Sequence, residues 1–251
     1  MRGSLRFPVR PAAFFVAMLP VALLAALVGR LDAQDAVPEE QPAPQPVSVS
    51  VEGEIGPEDA PAAGRLTTEF FRCYPSLIER FERPDRPAPR HVTIVFKQQL
   101  RVPAYCTGDE ITVSAAWLRS NPDDIALLTH ELTHAVQQYP RAGRGFDKPG
   151  WLVEGIADYA RKVYGPERQP GWRLPERLSS RNNYDDGYRV SARFLEWLDE
   201  RTPGAVDKLH DALSRGEYKE SLFEEVAGKP VADLWTECVA ALSAEAREED
   251  S

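Results

Sequence analysis

The sequence predicts an α+β fold, with a small N-terminal sheet, a helix that carries the chemistry and a mainly helical C-terminal half. Three observations predict it. Strand-like runs are confined to the first part of the domain, as HVTIVFKQ (91–98) and ITVSAAWL (111–118). From residue 121 onward apolar residues recur at helical spacing. Strands come first and helices follow, without the alternation of a doubly wound sheet. A chain of 251 residues suffices for one well-buried domain.

The first 33 residues stand apart. Arg2, Arg6 and Arg10 form a basic lead, residues 12–28 an apolar run broken only by Pro20, and Leu31-Asp32-Ala33 a cleavage tripeptide. The pattern is that of an export signal, secreted or periplasmic. Its alternative is an uncleaved anchor over residues 12–28, because the run approaches the roughly 20 residues of a membrane span. No cysteine ends the run, which argues against a lipid anchor. Residues 34–64 hold six prolines and no aromatic residue. They read as a solvated linker, even though VSVSVEG (47–53) alternates like a short strand. The domain is expected over residues 65–247.

Within it, residues 65–82 space Leu66, Phe70, Phe71, Leu77, Ile78 and Phe81 as an amphipathic helix. The two strands follow, the second preceded by the turn-like Thr107-Gly108-Asp109. Asn121-Pro122-Asp123-Asp124 supplies a cap, a first-turn proline and two acids for a helix running to Tyr139. Its buried stripe is Ile125, Leu128, Leu132 and Val136. Further helices are expected at 151–165, 184–201, 204–215, 219–227 and 230–246.

The formal charge is −9. Removing residues 1–33 takes away four Arg and one Asp, a loss of +3 that leaves −12. An acidic chain without a basic stripe is a poor nucleic-acid binder, and only the N-terminal segment suggests a membrane. Cys73, Cys106 and Cys238 allow one disulfide in an oxidising compartment, with the pair left open, and none has the spacing of a structural zinc knuckle.

Half of the four histidines fall in THELTHAVQQ (129–138). On a helix, His130 and His134 lie one turn apart on one face, a separation that suits two ligands of a tetrahedral Zn²⁺. Glu131 lies beside their row, placed to take a proton from a water at the ion's open position. A catalytic zinc wants a third protein ligand. His91 opens a distant strand, and His210 reads as an exposed helix-face residue. Glu154 in WLVEGIADYA, among apolar neighbours, is the better candidate, against the alternative of pairing with Arg161. Asp158, one turn on, would hold the far nitrogen of His130.

The blocks HELTHAVQQ, PGWLVEGIADYARK (149–162) and YDDGYRVSARFLEWLD (184–199) together resemble the basic secretory protein family, peptidases of plants and bacteria. EITVSAAWL and GKPVADLW (228–235) fit as well, so the resemblance covers roughly residues 65–240. It implies a zincin-like metallopeptidase fold of the gluzincin type. A zinc cofactor, a peptide or protein substrate and a glutamate ligand on the following helix come with it. It also draws attention to Tyr184 and Tyr188, with Tyr188 favoured as hydrogen-bond donor to the oxyanion and Tyr159 a weaker candidate. ITVSAA (111–116) would be an edge strand that pairs with an extended substrate. This chain is acidic although the family's name says basic, so ideas of substrate based on charge do not transfer. Two alternatives stay open: a non-catalytic binding module on a zincin scaffold, and a zinc hydrolase of a non-peptide amide.

Overall fold

In β1 (Ser48–Gly53) the alternation VSVSVEG becomes real structure, paired in parallel with β2 (His91–Lys97) from Ser48↔His91 to Gly53↔Phe96. The computed structural model describes residues 46–141, 146, 148–179 and 181–249. The expected export signal and residues 34–45 of the expected linker lie outside them. The remainder of that linker is a correction. β1 and the first turn of α1 (Ala60–Phe81) occupy it. Six alternating residues form a strand once a partner edge satisfies their backbone, which composition alone does not reveal.

α1 crosses from β1 to β2 and turns Leu66, Phe70, Tyr74, Leu77 and Phe81 inward, while Phe71 faces solvent. Asp59, almost fully buried, anchors its start by accepting from the Gly56 amide at 3.0 Å and from Arg119 at 2.7 Å. Along β2, Val92, Ile94 and Phe96 face the core and alternate with more exposed neighbours, as expected of a half-covered sheet.

The sheet has four strands in the order β1-β2-β4-β3. The Gly108-Asp109 turn, with Gly108 at φ +66°, joins β3 (Ala104–Thr107) to β4 (Glu110–Ser114) as an antiparallel hairpin. β3 has no counterpart in the sequence prediction. It displaces β4 from the expected edge, since β4 lies between β2 and β3. The strand expected through Leu118 also ends early. Ser114 accepts from the Trp117 amide at 3.2 Å and starts α2 (Ala115–Ser120).

Asn121 ends α2 instead of capping the next helix, its side chain donating to the Trp117 carbonyl at 3.1 Å. A 3-10 turn, Asp124–Ala126, then leads into α3 (Leu127–Gln137). The predicted stripe Ile125, Leu128, Leu132 and Val136 is buried. α4 (Gly150–Tyr164), α5 (Tyr188–Arg201), α6 (Ala205–Arg215), α7 (Leu222–Ala227) and α8 (Val231–Glu249) complete the helical half. α3 packs against α1, β3 and α4, and α4 packs against α5. Among the described residues no helix is long and apolar enough to cross a membrane. All three cysteines are free thiols.

Candidate metal centre

Because α3 is enclosed by α1, β3 and α4, even its polar residues are buried: His130 is 8% and Glu131 9% exposed. Behind the helix, Thr129 donates to the buried carboxylate of Glu69 at 2.6 Å, which fixes the rotation of α3. On the open side the two imidazoles meet α4. Nε2 of His130 lies 3.2 Å from Nε2 of His134 and 3.2 Å from Oε2 of Glu154. The third edge, His134 Nε2 to Glu154 Oε2, is 3.5 Å.

The opposite ring nitrogens are committed. His130 Nδ1 donates to Asp158 Oδ1 at 2.7 Å, and His134 Nδ1 donates to Gln137 Oε1 at 2.7 Å. Gln137 is itself held, its amide donating to the Val153 carbonyl at 3.3 Å. With both Nδ1 atoms acting as donors, three electron-pair-bearing atoms converge on one point. Such a convergence is repulsive unless a cation sits among them. The residues therefore fit a metal ion, and His130, His134 and Glu154 form the group that could hold one.

The protonation pattern agrees with that need for positive charge. Burial opposes a charged His130, yet its hydrogen bonds to Asp158 and Glu154 raise its pKa to about 10. Burial pushes Glu154 up, but its hydrogen bonds to His130 and His134 win and hold the carboxyl far below the usual range. Glu131 moves the other way. Its burial dominates the lowering effect of the two histidines, so its pKa is raised.

Asp158 stands where the sequence put it, against the far nitrogen of His130. Tyr188, at the start of α5 with φ +42°, is 57% exposed and lies parallel to the His130 ring at a centroid distance of 6.1 Å. The charge of Glu154, then burial, raises its pKa, so the phenol keeps its proton. Tyr184 is not on the helix with it. It precedes α5 and packs edge-on against Trp151 at 5.1 Å. Tyr159 is turned away, donating to Asp199 at 2.7 Å. His91 sits exposed at the start of β2, against Ser48. His210 is buried, not exposed as expected. Its Nε2 donates to the Phe81 carbonyl at 2.8 Å while Tyr139 donates to its Nδ1 at 2.9 Å. The alternative partner for Glu154 is also occupied, since Arg161 pairs with Asp124.

Sequence reasoning missed Gln137, although its position three residues after His134 put it on the same helical face. It also missed the wall of the cleft. A cavity of about 980 Å³ runs past His130, His134 and Glu154, lined on one side by β3 and on others by Trp117, Asp124, Arg161 and Trp172. Trp117 donates to Asp124 at 2.8 Å, and the Arg161 guanidinium lies 4.3 Å from the Trp172 ring centroid. These contacts join residues too far apart in sequence to show any local pattern.

A family model described as peptidase of plants and bacteria matches residues 58–238, well over half of the chain. It is the family that the three sequence blocks resemble. No curated protein matches the chain.

Proposed function

From the premise that this chain belongs to the family of peptidases of plants and bacteria, we propose that it is a zinc-dependent metallopeptidase of the gluzincin type. It would have a zincin-like fold and act outside the cytoplasm after export. The observation that carries the reading is the triangle of donor atoms with edges of 3.2, 3.2 and 3.5 Å. A tetrahedral ion with bonds of about 2.0–2.1 Å separates its ligand atoms by roughly 3.3 Å. Nε2 of His130, Nε2 of His134 and Oε2 of Glu154 would hold it. When bound, zinc supplies Lewis acidity, which polarises a carbonyl and makes a water acidic near neutral pH.

The chain's own residues perform the rest. Asp158 and Gln137 keep both histidines in the tautomer that presents Nε2. Glu131, next to the ligand row, takes the proton of the attacking water and returns it to the leaving amine. Its raised pKa brings its proton affinity toward that of its task. Tyr188 donates to the oxyanion of the tetrahedral intermediate. The backbone edge that borders the cleft is β3, so an extended substrate pairs with β3 and not with β4. Four large apolar side chains exposed to solvent, Val102, Tyr105, Trp117 and Tyr188, line this cleft and suit apolar substrate side chains.

The decisive experiment is cleavage of a generic unfolded protein by the exported form, with and without a chelator, for wild type and Glu131→Gln. Chelator-sensitive cleavage is expected, with Glu131→Gln retaining its metal and losing about 10²–10⁴ in kcat. Metal without cleavage would favour a binding module or a hydrolase of a non-peptide amide. Substantial turnover by Glu131→Gln would remove the general-base role.

A further inference from the structure

We propose that Arg189 is a specificity-determining residue, its guanidinium receiving a substrate carboxylate within one or two residues of the bond that is cut. The proposal rests on the peptidase reading and names what the same cleft selects. Arg189 is the second residue of α5, is exposed, and lines the cleft together with His130, Glu154 and Tyr188. Among the described residues it has no ion pair or hydrogen bond.

Most other charged groups of the cleft are committed, Glu131 and Asp123 excepted. Arg161 is buried, paired with Asp124 and stacked on Trp172. Asp124 also accepts from the Trp117 indole at 2.8 Å, which occupies its second oxygen. Glu154 faces the two imidazoles, and Asp158 accepts from His130. Asp123, also on the cleft wall, precedes the 3-10 turn and forms no ion pair with Arg189 among the described contacts. Burial lowers the Arg161 pKa against the raising effect of Asp124 and Asp158, and the charge of Arg189 adds to that lowering, so the two guanidiniums lie near one another. A guanidinium without a direct partner on the wall of a cleft is free to pair with an anion, and its planar fork of donors matches a carboxylate.

Position sets the register. Arg189 follows Tyr188, whose ring lies 6.1 Å from that of His130. Adjacent Cα atoms are about 3.8 Å apart, and an extended substrate advances roughly 3.3–3.6 Å per residue. The guanidinium therefore meets a group close to the reacting carbonyl. In a peptide the carboxylate is either an Asp or Glu side chain or the free C-terminus.

The test uses internally quenched peptides that carry Glu or Gln at each of the two positions on either side of the scissile bond. A second set of short peptides differs only in a free or amidated C-terminus. Wild type should prefer the carboxylate-bearing member of one set by about tenfold in kcat/KM, with the preference shrinking at high salt. The set that responds identifies the source. In Arg189→Ala the ratio should fall to about one, and in Arg189→Glu a Lys-bearing peptide should overtake the Glu-bearing one. A ratio near one in wild type, or a ratio that survives in Arg189→Ala, overturns the proposal. Calorimetric binding of the same peptides to the Glu131→Gln protein reads the subsite without turnover. Selective binding that is lost with Arg189→Ala supports the subsite even if cleavage fails. Cleavage without any selectivity overturns the subsite and leaves the peptidase reading intact.

Discussion

At the scale of single residues, the centre depends on how proton donors are distributed around two imidazoles. Asp158 and Gln137 take the Nδ1 protons, so both Nε2 atoms are turned toward Glu154, where they can bind a proton or a metal ion. Glu154→Ala should abolish stoichiometric zinc, because one of three ligands disappears. Asp158→Ala should keep the ligands and weaken zinc affinity about 10–100-fold. Metal content after dialysis at graded free zinc distinguishes them, and the opposite pattern would exchange the two roles. The convergence of His130, His134 and Glu154, with Asp158 behind His130, was legible because helical spacing of one turn puts donors on one face. The exposure of His210 was misjudged because local pattern gave no sign of Tyr139 and Phe81, which come from distant parts of the chain.

At the scale of elements, the site is held by close helix contacts, one of them at Gly155. A Cβ there would lie 2.8 Å from the Ser191 Cβ on α5 and 3.3 Å from Leu195 Cδ1. Ser191 is in turn bound to the segment that precedes α5, donating to the Tyr184 carbonyl at 2.6 Å. Gly155→Ala should cost about 1–3 kcal/mol from overpacking, lowering Tm by several degrees. It should also lower kcat by shifting Tyr188. Calorimetry and a kinetic assay on one preparation check both. Long periodic helices were readable to within a few residues. β3 was not, because a four-residue strand becomes a strand only by pairing with β4. The capping signal at Asn121 was real but was used by the preceding helix. A short helix ending there offers the same side chain an orphan carbonyl.

At the scale of the whole molecule, acid should loosen the fold through His210, which clamps α6 to the end of α1. Burial depresses its pKa from the ordinary 6.5 to about 4, outweighing the raising effect of the Phe81 carbonyl. Between those values the unfolded chain binds a proton that the folded chain does not. Stability is therefore complete above about pH 6.5 and falls as pH drops toward 4, by roughly 3 kcal/mol. Urea unfolding at several pH values should show a shallower slope over this window for His210→Gln than for wild type. Equal slopes would assign the acid sensitivity to other groups.

What the sequence by itself determined is the set of contacts that repeat with a helical period: the paired histidines, the acids one turn apart on the next helix, and the apolar stripes beneath them. These follow from local geometry, which the order of residues specifies directly. Tertiary structure alone decided that β3 forms the edge, that Gln137 joins Asp158 in orienting the two histidines, and that Arg161 is paired while Arg189 is left open. Those outcomes depend on which distant groups reach a given atom first, and only the folded chain brings them into competition.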